Sequence, residues 1–190
     1  MYLTTKVRIA LKLNIPAMGY STLIVKKAQE GEPVRHSSPK RIAHSGNCLE
    51  NNYLKVTINS DGTLSMLDKQ SGQMYNSLMV FEEDSDIGDG WFHGNPVNDR
   101  RTISLTTPPQ ISLLSNGPEL AVIQVTKILQ LPEEFCFGSM SRSSNLKEFR
   151  IENLIKLRKD SQILEIETDI NNNIKDHRLR ICFRSDTKTD

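Results

Sequence analysis

The chain is poor in cysteine and in net charge, and each shortage excludes a class of protein. Its 190 residues include three cysteines, Cys48, Cys136 and Cys182. An odd number without metal-ligand spacing argues against a disulfide framework and a zinc site, and it favours a reducing, cytoplasmic location. The formal net charge of +1 predicts no bulk attraction to nucleic acid or to an anionic membrane, so neither is an expected partner.

Long apolar runs and helical periodicity are also missing. No stretch of the sequence approaches the ~18 consecutive apolar residues that a membrane-spanning helix needs. Residues 1–16 alternate basic and apolar side chains, unlike the continuous apolar core of a signal peptide. We therefore expect a soluble chain with no membrane segment.

Apolar side chains recur at every second position in short segments, as half-buried β-strands require. The first such segment is 7–13; a turn at Pro16 and Gly19 follows it, and residues 20–25 are predicted as a second strand. The other predicted strands are 54–58, 63–67, 73–81, 103–105, 111–114, 120–131, 148–157, 163–170 and 177–183. Many short strands without intervening helices predict an all-β fold, an antiparallel sandwich or barrel.

The register of one hairpin can be derived from its turn. A three-residue loop at 60–62 pairs Ile58 with Leu64 and Val56 with Met66, which keeps the apolar side chains on one face. A two-residue turn would instead place Ile58 opposite a serine and mix the two faces. The sequence therefore predicts the longer loop, with its glycine in the left-handed conformation.

Most catalytic and metal-binding patterns are missing. The four histidines, His36, His44, His93 and His177, are scattered and form no zinc-binding unit. No serine lies in a Gly-x-Ser-x-Gly context, and no glycine-rich phosphate loop is present. The sequence itself therefore predicts no catalytic residue, no metal and no cofactor for this chain.

The acidic, glycine-rich residues 82–101 do not alternate and predict a long ordered loop. Asp86, Asp89, Trp91 and His93 are its candidate site residues, because carboxylates bind adjacent hydroxyls and an aromatic ring stacks on a pyranose. A carboxylate pair could also serve acid–base chemistry. Three interpretations stay open: a solvated loop with Trp91 as a plug over the sandwich end, a sugar-contacting loop, and a calcium loop, although the Asp spacing is not that of an EF-hand.

The strand around residues 176–183 combines a histidine with two arginines. Arg178 and Arg180 alternate with apolar residues and follow Asp176 and His177 directly. Arginines on the polar face of a strand are usually solvated or paired with neighbouring acids. An anion or sugar site is the alternative interpretation.

Three segments, in this order, resemble glycoside hydrolase family 38, the α-mannosidase family. Residues 52–69 resemble the opening hairpin of the family's large C-terminal sandwich, and Asp86-Ile87-Gly88-Asp89-Gly90-Trp91 resembles the Gly-Asp loop after it. The segment 176–183 resembles the family's His-Arg-Leu-Arg strand. The resemblance implies an antiparallel β-supersandwich of the galactose mutarotase-like kind over residues 47–190, cut at its C-terminal end. Residues 1–27 resemble the end of a preceding small β domain, and the polar residues 28–46 predict a linker or long loop.

The resemblance also implies a function. Members of the family are retaining α-mannosidases whose N-terminal domain supplies an aspartate nucleophile and a sugar-binding zinc ion. None of that domain matches this sequence, so the resemblance implies a non-catalytic piece that supports the catalytic domain. Its Gly-Asp loop implies rim contacts to an α-mannoside by Asp86, Asp89, Trp91 and His93.

Two other functions stay open. The first is an autonomous carbohydrate-binding module that depends on Trp91. The second is a mutarotase-like sugar enzyme, which requires His93 or His177 to meet a carboxylate on a concave face.

Overall fold

The computed structural model describes residues 9, 11–26 and 41–185, and there the chain is built almost entirely of β-strands. No helix long and apolar enough to cross a membrane is found in this part of the chain. Among the described residues, the single helical element is a 3-10 turn, Ser104–Thr106. The strands are β1 Ala43–Ser45, β2 Cys48–Glu50, β3 Leu54–Ile58, β4 Leu64–Asp68, β5 Met74–Leu78, β6 Val80–Ser85, β7 Thr102–Ile103, β8 Gln110–Asn116, β9 Leu120–Pro132, β10 Phe135–Cys136, β11 Ser141–Arg142, β12 Leu146–Arg158, β13 Leu164–Ile170 and β14 His177–Cys182.

The described strands form three main antiparallel sheets. One follows the order β1-β2-β3-β4-β5, a second β13-β12-β9-β8, and a third β14-β6-β7. The short hairpin β10-β11 stands apart. The non-sequential neighbours β14 and β6 bring the His-Arg-Leu-Arg strand beside the start of the acidic segment, which positions the candidate site.

The core lies between the inner faces of these sheets. Along β12 the residues Phe149, Ile151, Ile155 and Leu157 are all fully buried, as their alternation predicts. Their partners on β9, such as Ile123 and Leu129, are buried with them. Each such side chain contributes about 1.5–3 kcal/mol by leaving water, so this strand pair anchors the fold.

The predicted register of the first hairpin is confirmed. Ile58 lies opposite Leu64, and Val56 lies opposite Met66. Gly62 has a φ of +79°, and its N–H donates to the carbonyl oxygen of Asn59 at 2.9 Å. A three-residue loop with a left-handed glycine therefore closes the hairpin.

A Gly62→Ala substitution should lower the unfolding free energy by about 1–2 kcal/mol, because a left-handed φ is strained for alanine. The added Cβ would also lie 2.5 Å from Cε of Lys127 and 3.0 Å from Cβ of Pro109. Gly46→Ala is the matched control, since nothing lies within 4 Å of its added Cβ. Urea unfolding measures both variants, and equal midpoints would contradict the steric argument.

Several segments differ from their predicted structure. The predicted strand at 20–25 is wrong, because residues 11–26 contain a turn and no strand. These residues make no backbone ladder with any described neighbour, and β-forming side chains alone do not form a strand. Of the predicted strand at 7–13, residues 7, 8 and 10 lie outside the described residues, and its described residues 9 and 11–13 are likewise not strand. Of the predicted linker 28–46, residues 28–40 lie outside the described residues, while Ala43–Ser45 forms β1.

Two further differences concern the middle of the chain. The predicted strand 73–81 is broken at Met79, whose φ of +65° separates β5 from β6. The predicted loop 82–101 begins later than expected, because residues 82–85 belong to β6 and residues 83–85 are buried although they are polar. Their charges are compensated by arginines and a histidine of neighbouring strands, which a pattern of hydrophobicity does not register.

Candidate functional site

The segment Asp86–Asp99, called the acidic loop below, is held closed by its own first residue. Oδ1 of Asp86 accepts the N–H groups of Gly88 and Gly94, each at 3.0 Å. The N–H of Ile87 donates to the carbonyl oxygen of Gly94 at 2.9 Å. A Cβ at Gly88 would lie 1.8 Å from the carbonyl oxygen of Phe92. Only glycine fits there, so the two arms of the loop pack backbone to backbone.

The tip of the loop is shaped by Asp89. Its Oδ1 accepts the N–H groups of Trp91 and Phe92, both at 2.9 Å. These bonds turn the chain so that the two aromatic side chains leave the protein surface. Trp91 is 88% exposed and Phe92 is 77% exposed. The loop therefore presents two adjacent aromatic rings to solvent on a backbone that is fixed by hydrogen bonds.

His93 lies between the side chains of Asp86 and Asn95. Its Nδ1 is 3.2 Å from Oδ2 of Asp86, and its Nε2 is 2.7 Å from Oδ1 of Asn95. The backbone bond from Gly94, with further contributions from His93, holds the pKa of Asp86 below its ordinary value. The pKa of Asp89 is lowered by the N–H groups of Trp91 and Phe92. Both carboxylates are therefore charged at neutral pH and serve as internal acceptors.

The structure thus brings the four predicted site residues together in one loop but divides their roles. Asp86 and Asp89 use an oxygen each to hold the backbone, whereas Trp91 projects into solvent and His93 is partly exposed. A contact between any of them and a sugar stays a prediction.

Loop order should depend on the charge and the acceptor of Asp89. Asp89→Ala should lower the fluorescence anisotropy of Trp91, the only tryptophan, with little change in the unfolding midpoint. Asp89→Asn, which keeps an acceptor oxygen but loses the charge, should lower the anisotropy less than Asp89→Ala. Because the pKa of Asp89 is lowered in the folded loop, the order that its charge contributes is fully present above the ordinary pKa of about 3.9 and is lost as pH falls through the lower pKa of the folded loop. Asp169→Ala is the control, and an equal anisotropy in all three variants would contradict this role.

Beneath the loop lies a buried charge cluster that the sequence did not predict. Glu83 is fully buried, and both of its oxygens accept hydrogen bonds from the guanidinium of Arg142, one of them at 2.8 Å. Nδ1 of His177 lies 3.4 Å from Oε1 of Glu83. Burial raises the pKa of Glu83, but the contacts with His177 and Arg142 outweigh burial, so the pKa lies below its ordinary value.

Asp84 forms the second half of this cluster, on the opposite face of β6. It accepts from Nε and Nη2 of Arg178 at 3.2 Å each and from Nη2 of Arg180 at 2.9 Å. The strand register, with Arg178 opposite Asp84 and Arg180 opposite Glu82, produces these pairs. Paired acids, rather than a free anion site, therefore explain the two arginines. The run Glu82-Glu83-Asp84 and the basic strand 177–180 are complementary in sequence, and this was the available signal.

The two histidine–carboxylate pairs are not equally accessible. The pair His177–Glu83 has side chains that are 3% and 0% exposed, so no sugar reaches it in this conformation. The pair His93–Asp86 is 22% and 28% exposed. Within the described residues, no group of three or more His, Cys, Asp or Glu side chains could hold a metal ion. The site is therefore an aromatic loop above a compensated charge cluster.

The comparison with known families agrees with this architecture. The model described as "Glycosyl hydrolases family 38 C-terminal domain" matches residues 49–190. The chain therefore belongs to glycoside hydrolase family 38, as part of its C-terminal β-sandwich region.

Particular relatives are similar over much of the chain. An α-mannosidase from Enterococcus faecalis has a crystal structure with a TM-score of 0.77 at 28% identity, covering 80% of this chain and 19% of that one. A second family 38 protein from Enterococcus faecalis has a TM-score of 0.74 at 28% identity, covering 78% of this chain and 20% of that one. These neighbours confirm the predicted antiparallel all-β fold class.

A curated relative is similar in sequence. A protein of Halalkalibacterium halodurans, provisionally named a mannosylglycerate hydrolase, is 26% identical over 153 residues, which is 73% of this chain and 17% of that protein. The chain thus spans about a fifth of the length of the relatives it matches.

Proposed function

We propose that this chain is the non-catalytic β-sandwich of an α-mannoside hydrolase, which supports the catalytic domain and lends the acidic loop to the sugar site. The observation that carries the proposal is the exposed pair Trp91 and Phe92 on a loop fixed by Asp86 and Asp89. Aromatic rings with little freedom bind apolar surface at a low entropic cost. A pyranose has such a surface on the face where its C–H bonds point.

The polar part of the same loop fits the rest of a sugar. Asn95 and His93 lie beside the aromatic tip and hydrogen bond to each other at 2.7 Å. Amide and imidazole groups exchange hydrogen bonds with vicinal hydroxyls. We assign the substrate to the α-mannosides, including mannosylglycerate, because the relatives are named for these activities.

The role is non-catalytic because the carboxylates near the loop are already engaged. Glu83 binds Arg142, Asp84 binds Arg178 and Arg180, and the loop acids bind backbone N–H groups. The described residues do not fit a zinc site, so we assign the zinc of the family to the catalytic domain. The three cysteines are free, which supports a cytoplasmic location. We assign the parent enzyme to mannose metabolism.

A loop transplant tests whether the acidic loop contributes to the sugar site. Because the N–H of Gly94 donates to Asp86 and so closes the acidic loop on itself, the loop can replace the corresponding loop of the Enterococcus faecalis α-mannosidase. We expect the hybrid to hydrolyse an aryl α-mannoside, and Trp91→Ala within it to lower kcat/KM about tenfold, which corresponds to ~1.4 kcal/mol. Val97→Ala, a fully exposed apolar residue of the same loop, is the matched control. Equal kcat/KM in the two variants would refute the sugar contact.

A carbohydrate-binding module is the second candidate, and the exposure of Trp91 favours it. Fluorescence of this only tryptophan reports directly on sugar stacking. Titration of the isolated chain with methyl α-mannoside should give no saturable change if the loop needs the catalytic domain. Saturable quenching that Trp91→Phe weakens would favour the module instead.

A further inference from the structure

A cavity lies beside the acidic loop, between the segment that follows the loop and the ends of β9 and β12. Its volume is about 550 Å³, and it is lined by Arg100, Arg101 and Arg142. No Asp or Glu among the described residues lines it. The other polar lining residues are neutral, namely Asn98, Thr102, Thr106 and Gln130. The cavity therefore gathers cationic and hydrogen-bonding groups without an acid that would repel an anion.

Two of the three arginines keep donors for a ligand. The side chain of Arg100 is exposed and makes no ion pair within the described residues. Nη1 of Arg101 is 3.7 Å from Oε2 of Glu82, and its Nε is 3.8 Å from Oδ2 of Asp84, which is too long for hydrogen bonds. Both acids lie closer to Arg180, at 3.3 and 2.9 Å. The guanidinium groups of Arg100 and Arg101 are therefore able to bind an incoming anion.

Arg142 differs from the other two because its charge is compensated. Its Nη1 and Nη2 both donate to Glu83, and its side chain is 9% exposed. These two bonds do not use its Nε–H, which stays available to another acceptor. The buried ion pair thus fixes one guanidinium in the wall of the cavity, next to the two arginines that have free donors.

The cavity adjoins the part of the acidic loop that we assign to the sugar. Arg101 also lines the neighbouring depression, together with Asn95, Val97 and Asp99 of the loop. An anion held by Arg101 would therefore lie on the side of the loop that carries Asn95. Among the α-mannosides proposed as substrates, mannosylglycerate carries a carboxylate on its aglycone, whereas a simple oligomannoside is neutral.

We propose that this cavity binds a carboxylate on the aglycone of the α-mannoside, with Arg100 and Arg101 as the residues that hold it. The inference rests on the proposed function, although binding of the carboxylate alone does not require the aromatic tip of the loop. A guanidinium presents two parallel N–H groups that match the two oxygens of a carboxylate. The hydroxyl and amide groups of Thr102 and Gln130 suit the hydroxyl of a glycerate. The cavity thus selects charged glycosides over neutral ones.

Glycerate, the aglycone alone, tests the site on the isotope-labelled chain. An NMR titration at constant ionic strength, which keeps the screening of exposed charges equal, should give saturable shifts at the side-chain N–H groups of Arg100 and Arg101. Glycerol, which lacks the carboxylate, should give none. Arg100→Gln should raise the Kd for glycerate about tenfold. Arg100→Lys, which keeps the charge but loses the planar fork, should recover only part of the affinity.

Two control variants should leave the Kd for glycerate unchanged. Arg158→Gln removes an exposed arginine at the opposite end of β12 from Leu146, where it pairs with Glu165. Trp91→Ala removes the aromatic tip, which does not line the cavity. If the loop transplant fails while glycerate still binds, the sugar contact is refuted and the carboxylate site stands.

Four results would overturn the proposal. The first is the lack of any saturable shift with glycerate, and the second is an equal Kd in Arg100→Gln and Arg158→Gln. The third is loss of glycerate binding in Trp91→Ala, which would show that the loop tip holds the anion. The fourth is tighter binding of inorganic phosphate than of glycerate, which would assign the cavity to a phosphoryl group.

Discussion

Glu83→Gln should lower the unfolding free energy by about 3–5 kcal/mol, the range for breaking a buried ion pair by removing one charge. The carboxylate of Glu83 is fully buried, and the Arg142 side chain is 9% exposed. Without the carboxylate, the guanidinium stays buried with no compensating charge, and His177 loses the acid beside its ring. Chemical unfolding measures the effect.

Two controls make this prediction specific. Glu165→Gln removes the same charge from an exposed pair with Arg158, whose side chains are 43% and 54% exposed, and should cost less than about 1 kcal/mol. The double variant Glu83→Gln with Arg142→Met should recover part of the loss, because the uncompensated charge is gone. Equal losses in the two Glu→Gln variants would contradict the assigned role of the pair.

The same pair should give a defined pH dependence. The pKa of Glu83 is lower in the folded protein than its ordinary value, so its stabilisation is present above about pH 4.3 and is lost as pH falls through the folded pKa. The difference in stability between the wild type and Glu83→Gln should therefore shrink in acid. A difference that stays constant down to the acid transition would show that the charge of Glu83 is not responsible.

Lys127→Met should lower the unfolding free energy by roughly 2 kcal/mol, because it leaves buried carbonyl groups without a hydrogen-bond donor. Lys127 is 2% exposed on β9, and its Nζ donates to the carbonyl oxygens of Asp61 and Ser104. This one ammonium joins the first hairpin loop to the 3-10 turn. Burial lowers the pKa of Lys127, and the charge of Asp61 partly offsets this effect.

Hydrogen exchange locates the effect of the Lys127 substitution. Amides of the hairpin 58–64 should exchange faster in Lys127→Met, because the loop loses its tie to β9. Lys147→Met is the control, since this side chain is 43% exposed and pairs at the surface with Glu133. If the unfolding free energy of both variants falls by less than about 1 kcal/mol and the exchange rates of the hairpin amides are unchanged, the hydrogen bonds of Lys127 do not stabilise the fold.

The sequence predicted those parts of the fold in which local pattern and burial agree. The alternation along β12 identified the buried face of Phe149 and Ile151, and the loop length fixed the register of Ile58 with Leu64. Both depend on neighbours in sequence or on a single turn. The segment 20–25 was also predicted as a strand but is not one, because a strand also needs a paired neighbour.

The sequence indicated where the candidate site lies, but it did not indicate the different roles of its four residues. The acidic loop and its four residues could be found from composition and from the family resemblance. That Asp86 and Asp89 bind backbone N–H groups depends on loop geometry, which composition does not specify. The pair of Glu83 with Arg142 spans 59 residues, so only the tertiary fold brings it together.

The central claim is that this chain is a supporting domain without catalytic activity. The most direct test is to measure hydrolysis of 4-nitrophenyl α-mannoside by the isolated chain, with and without added zinc. The engaged carboxylates near the loop and the absence of a metal-binding cluster among the described residues lead us to expect no turnover and no stoichiometric zinc by metal analysis. The Enterococcus faecalis α-mannosidase serves as the positive control in the same assay. Zinc-dependent turnover by the isolated chain, with one bound zinc per molecule, would contradict the account of this chain as a supporting domain.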